Sequence, residues 1–231
     1  MAIRLYELAG ADPERRFSPY CWRTRMALAR KRLAVETVPW RFTEKDALPA
    51  SNQGNVPVIV DGDRVVHDSW TIACYLEDRY PDAPSLFGGD TGRAAIHLIN
   101  DWADRILFPT IIRLIVIDIF GGLDARDKDY FRASREQRLG AALEQICADR
   151  EQQLPAFRQA LEPLRATLRA QPFLGGTAAN YADYAVFGGF QWSRVTSPLR
   201  LIASNDPIHS WCEKMLDAFD GMARKTPGYP V

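Results

Sequence analysis

Metal-ligand spacing, nucleotide-binding loops and membrane-length apolar runs are all missing from this chain of 231 residues. Its three histidines, His67, His97 and His209, lie far apart, and its four cysteines, Cys21, Cys74, Cys147 and Cys212, form no CxxC pair. That spacing suggests no metal site, and scattered thiols argue for a reduced, cytoplasmic protein rather than a disulfide-stapled secreted one. No GxGxxG, P-loop or GxSxG run occurs, so the usual sequence markers of dinucleotide, phosphoryl-transfer and serine-hydrolase sites are absent. Charge of neither sign is in excess: Lys+Arg and Asp+Glu stand at 29 each. A balanced chain gives no reason to expect nucleic acid or an anionic membrane as a partner. The most apolar run, residues 106–120, is too short to span a bilayer and carries Pro109, Arg113 and Asp118, so it reads as a buried helix. The opening MAIRLYEL lacks the apolar core of a signal peptide.

What is there is a chain with 47% hydrophobic residues, enough for one large core or two modest ones. The first eighty residues alternate in type. IRLYEL (3–8) and VETVPW (35–40) read as strands, and 18–33 reads as a helix with Trp22, Met26, Ala29 and Leu33 on one apolar stripe. After a polar segment from Arg41 to Asn55, residues 56–68 read as two short strands joined at Asp61-Gly62-Asp63, and 69–80 as a helix. Pro81, Pro84, Gly88 and Gly89 mark a linker, beyond which the pattern is helical: roughly 91–120, 127–154, 155–170, 182–194 and 206–219. The expected architecture is an α/β domain over 1–81, a linker over 82–92 and an all-α domain over 93–231. The basic run Arg23, Arg25, Arg30, Lys31 and Arg32 reads as a solvated helix face, and Asn180 with Asp183 as a capping pair.

Three short pieces have the residue types for chemistry. In FSPYCWRTRMAL (17–28), Ser18 suits a helix N-cap and Pro19 the first helical position. Either Ser18 simply caps the helix, or the free N–H groups there hold something negative, such as a thiolate. In Val56-Pro57 the proline opens a strand; were the bond cis, the Val56 backbone would be free to pair with an extended peptide-like ligand. At Asp68-Ser69, the serine with the adjacent helix N–H groups suits a carboxylate and the aspartate an ammonium, unless both merely cap the helix. All three fall at the strand-to-helix edge of one small α/β domain, where such folds bind ligands. A ligand offering a thiol, a peptide backbone and a free amino-acid end is glutathione.

On these residues the chain resembles the cytosolic glutathione transferases, whose thioredoxin-like first domain carries a cis-proline after a "VP" step and an acidic-Ser pair before the next helix. SPYCWRTRMAL, VPVIVDGDRVVHDSW, YLEDRYPDAPSLF, DYFRASRE, LEPLRATL and FLGGTAANYADY are similar to the bacterial β-etherase branch, which uses glutathione to cleave aryl ethers. The resemblance implies that Ser18 faces the glutathione sulfur, that Val56, with Pro57 cis, pairs with the cysteinyl unit, and that Asp68 and Ser69 take the γ-glutamyl end. Asn55, Arg41 and Gln53 are its candidates for the glycyl end. A tyrosine-type enzyme would use Tyr6, which reads here as part of the first strand. Cys21 lies a turn inside the helix and is expected to pack there, with a redox role as the alternative.

The resulting expectation is an enzyme with glutathione as co-substrate, no metal, and an apolar, aromatic electrophile bound between the domains. Tyr20, Trp22, Trp102, Phe108 and Arg113 are candidates for that second pocket. A homodimer is the family's habit. Glutathione-dependent dehalogenation, isomerisation or disulfide reduction, and non-catalytic binding of aromatic ligands, are the alternatives.

Overall fold

Four short strands carry the first part of the chain in the computed structural model, which describes residues 2–49 and 54–231. Strand β1 (Ile3–Leu8) runs parallel to β2 (Val35–Trp40) and antiparallel to β3 (Val58–Asp61), which turns into β4 (Arg64–His67); the order is β2-β1-β3-β4. β2 is an edge strand, which is where its Pro39 can be tolerated. The β3–β4 turn follows the expected Asp61-Gly62-Asp63 run, with Gly62 at φ +58.

Helix α1 (Pro19–Arg30) and α2 (Ser69–Arg79) pack together beside this sheet. The rest is helical: α3 (Asp90–Trp102), a single π-helical turn (Ala103–Leu107), α4 (Phe108–Gly121), α5 (Ala125–Leu139), α6 (Leu143–Ile146), α7 (Arg150–Ala160), α8 (Glu162–Ala170), α9 (Tyr181–Thr196) and α10 (Pro207–Lys225). α9 is buried along nearly its whole length and lies against α1, so α1 is covered from both domains.

Several sequence expectations need correction. The helix expected over 127–154 breaks at Gly140, whose left-handed φ of +81 ends α5 while its N–H closes a 2.8 Å bond to the Glu136 carbonyl. Pro155 does not separate two helices: it lies inside α7 on an exposed face, where water can take the freed carbonyl, and the break comes at Leu161, just ahead of Pro163. The basic run on α1 is not wholly a solvated face. Arg23 is fully buried, bonded to Asp104 at 2.7 Å, the Asn100 side chain at 3.0 Å and the Ala185 carbonyl at 3.2 Å. Lys31 is buried against Glu77 at 2.6 Å and the Tyr80 carbonyl at 3.1 Å. Helical periodicity shows where a side chain points but not whether a distant domain will close over it.

Candidate functional site

A cavity of about 660 Å³ opens between the α/β layer and the helices. Ser18, Val56, Pro57, Asp68 and Ser69 all line it, so the three sequence pieces converge on one place. Asn55 lines it as well.

Ser18 is the N-cap of α1: its backbone is extended and its Oγ accepts the Cys21 N–H at 3.3 Å. Capping uses the oxygen as acceptor and leaves the hydroxyl proton as a donor, with the Cys21 sulfur its neighbour inside the chain. The two roles open in the sequence are therefore compatible. Pro19 follows at the first helical position, and no acidic residue stands in the first turn of α1 to offset the positive end of its dipole from within the helix.

The Val56–Pro57 peptide bond is cis, and Val56 stands just ahead of β3, at the end of the ladder. Across the same cavity, Asp68 caps α2, its Oδ1 accepting the Thr71 N–H at 2.9 Å. Its φ of +69 with ψ of 131 is a sparsely populated conformation for an aspartate, of the kind that persists where the surroundings impose it. Ser69 is buried, and its carbonyl accepts the Tyr181 hydroxyl at 2.9 Å. A residue of α9 thus ties down the start of α2.

The rest of the lining is aromatic and basic, drawn from both domains. Phe42, Phe131, Phe108, Tyr20, Trp40 and Trp192 belong to it, with Tyr20 edge-on to Phe108 at 5.4 Å and Phe42 against Phe131 at 5.6 Å. The π-helical turn brings Asp104 to the cavity, where it pairs with the buried Arg23. Such turns recur at functional sites because they re-aim one side chain within a continuing helix. Burial first, and Asp104 second, push the Tyr20 phenol above its ordinary value.

Of the expected second-pocket residues, Tyr20, Phe108 and Arg113 line the cavity. Trp22 does not: it is buried in the core, its indole N–H donating to the Arg16 carbonyl at 2.9 Å. Trp102 is half-buried at the end of α3 and also lies off the cavity lining. Arg41 is drawn away by carboxylates, with Glu44 at 3.5 Å and Asp124 at 3.9 Å. Gln53 lies outside the described residues. Tyr6 is in β1 and buried. Cys21 is fully buried, and burial, reinforced by nearby Glu7, raises its thiol to about 12. At neutral pH it is a packed, protonated thiol rather than a nucleophile.

Sequence reasoning missed His67, Phe42, Phe131, Trp192, Arg135 and Arg138, all of which line the cavity. For His67 the signal was adjacency to Asp68. Arg135 and Arg138, three residues apart on the predicted helix, would have shown as one basic face of α5.

Comparison with known proteins follows the same lines. Residues 94–216 match the glutathione S-transferase C-terminal domain family and residues 13–84 the N-terminal domain family. Glutathione S-transferase Z1 of Arabidopsis thaliana is 39% identical over 69 residues, which is 28% of this chain and 31% of that protein, so this match spans under a third of the relative. A probable glutathione S-transferase GSTU6 of Oryza sativa subsp. japonica is 26% identical over 210 residues, 85% of this chain and 80% of its own. The glutathione S-transferase CsGST63524 of Ceriporiopsis subvermispora, crystallised in complex with glutathione, superposes with a TM-score of 0.79 over 98% of this chain and 99% of its own at 23% identity. That likeness speaks for the fold, a thioredoxin-like α/β domain followed by an all-helical one. With a matched family covering more than half of its length, the chain belongs to the glutathione S-transferase superfamily.

Proposed function

We propose that the protein is a glutathione transferase that ionises the glutathione thiol at the head of α1 and directs the thiolate onto an aromatic electrophile. The observation that carries this reading is the convergence of Ser18, Val56, Asp68 and Ser69 on one cavity that is also lined by aromatic side chains. The γ-glutamyl ammonium goes to Asp68 and its carboxylate to Ser69, the cysteinyl backbone to Val56 beside Pro57, and the glycyl end toward Asn55. The sulfur then lies at Ser18, where the hydroxyl donates to it and the helix end favours its charge. Catalysis comes from stabilising the thiolate and from holding two reactants at short range. In the ether-cleaving form of this reading, the thiolate forms a C–S bond at the carbon bearing the aryloxy group. The C–O bond breaks, and the phenolate leaves with the electron pair and takes a proton from solvent. A homodimer belongs to the same reading and is tested by sedimentation at micromolar concentration.

The experiment is a glutathione-dependent screen of a model β-aryl ether and of 1-chloro-2,4-dinitrobenzene, comparing wild type with Ser18→Ala. Phenol release from the ether supports the ether-cleaving form, while turnover of the arene alone supports only the transferase. An alanine variant as active as wild type overturns the role of Ser18.

A further inference from the structure

The second-substrate wall holds more positive charge than its surroundings explain. Arg113 of α4 and Arg135 and Arg138 of α5 line the same cavity. None of them forms an ion pair with a carboxylate among the described residues, although most other arginines of the helical domain do so. Arg113 reaches only the Leu139 carbonyl, at 3.4 Å. Arg135 lies 4.7 Å over the Phe131 ring and 5.0 Å over Phe42, both cavity residues, with one nitrogen on the Ser134 hydroxyl at 2.9 Å and the Tyr130 phenol beside it. Its Nε is buried without a partner. Burial and the neighbouring Arg138 pull its guanidinium down to about 10, so it stays charged at neutral pH but in an unfavourable setting. The two acids of the cavity do not relieve it: Asp104 is committed to Arg23, and Asp68 caps α2.

Arg113 and Arg138 are exposed and water meets their charge, so the uncompensated cation is the half-buried Arg135; an anionic ligand relieves it on binding, and the two exposed guanidiniums flank the same place. The flanking rings supply flat apolar surface, and guanidinium groups match planar oxyanions. We infer that the co-substrate is an aromatic anion, of the carboxylate or sulfonate class, with its rings on Phe42 and Phe131 and its charged group at Arg135, Arg138 and Arg113. This deepens the transferase reading and rests on it, because it assigns the chemistry of the second substrate in the same cavity.

Two dyes that share their ring system test it: 8-anilinonaphthalene-1-sulfonate, which is anionic, and N-phenyl-1-naphthylamine, which is neutral. Hydrogen bonds to charged groups contribute about 1.5–3 kcal/mol, so losing them weakens a ligand by about tenfold or more. Arg135→Gln combined with Arg138→Gln is expected to weaken the anionic dye by about tenfold and leave the neutral dye within about twofold. Arg138 is exposed, so Arg138→Gln alone serves as a variant that folding cannot confound, with a smaller loss of the same selectivity. Unchanged affinity for the anion, or an equal loss for both dyes, overturns the inference. Dye binding needs no thiol. A failed thiolate titration therefore strikes the transferase reading, and a missing charge preference strikes this inference alone.

Discussion

Ser18 carries two jobs through one oxygen and one proton, and substitution can separate them. Replacing it with alanine removes both the cap and the hydroxyl donor, whereas glycine is a tolerable cap without the donor. Ser18→Ala is expected to lower unfolding free energy by about 1 kcal/mol and Ser18→Gly by only a few tenths. Both should lower glutathione-dependent kcat/KM alike, by about a hundredfold. Urea melts paired with steady-state assays read the two effects separately; activity that follows stability would mean that the cap alone matters. Cys21, which accompanies Ser18 in the sequence, has a thiol value near 12 because it is buried. Its folded value lies above the ordinary 9.0, so the folded chain holds this proton more tightly than the unfolded one. That contribution to stability is whole below about 9 and is lost as pH rises through about 12. Native protein should leave Cys21 unalkylated by iodoacetamide at pH 8 in a peptide-mapping experiment, and rapid modification there would contradict its placement.

At the scale of elements, the position of α1 depends on α9. A Cβ added to Gly188 would stand 2.5 Å from the Pro19 carbonyl oxygen, and one added to Gly189 would stand 2.7 Å from the Phe108 ring. Glycine inside a helix costs about 1 kcal/mol relative to alanine, and here the close approach that the pair permits offsets that cost. Gly188→Ala should push the start of α1 off α9, costing about 1–3 kcal/mol by thermal melt and weakening glutathione binding by calorimetry. Unchanged affinity would show that the head of α1 is not held from behind. Asp183 anchors α9 itself: its carboxylate accepts from the Leu174 and Gly175 N–H groups at 2.7 and 2.9 Å, from the Asn180 N–H at 3.0 Å and from the Trp211 indole at 2.9 Å. Asp183→Ala strands several buried donors and should cost about 3 kcal/mol or more in a denaturant melt, with any smaller loss implying that water replaces the carboxylate. The Asn180–Asp183 pair was legible as a cap, because a capping box is a pattern over four residues. The tie to Trp211 was not, because nothing local links positions 28 residues apart.

For the whole molecule, the sequence made the element order of the first eighty residues, the β3–β4 turn and the place of Val56-Pro57 and Asp68-Ser69 readable. Each of these depends on a few adjacent residues: Gly62 in a turn, Pro57 at a strand start, Asp68 at a helix start. What stayed hidden is how the two domains meet. Arg23 reaches Asn100, Asp104 and Ala185; Thr43 bonds the Asp127 carboxylate through its N–H at 3.0 Å and its hydroxyl at 2.7 Å; Tyr181 reaches Ser69. These long-range bonds made Arg23 a buried tie instead of a surface charge, and placed Phe42 and Arg135 on the cavity wall. They also imply that the domains unfold together: far-ultraviolet dichroism and tryptophan fluorescence should give coincident urea transitions. Arg23→Ala, which leaves Asp104 without its partner, should cost about 3 kcal/mol or more, and two separated transitions in the wild type would refute the coupling.

The measurement that bears most directly on the central claim is the ultraviolet titration of the glutathione thiol in its complex with the protein. A thiolate held at the head of α1 should titrate at least one unit below free glutathione, a difference of about 1.4 kcal/mol in its favour, and should return toward the free value in Ser18→Gly. A bound thiol that titrates like the free tripeptide in the wild type would contradict the account.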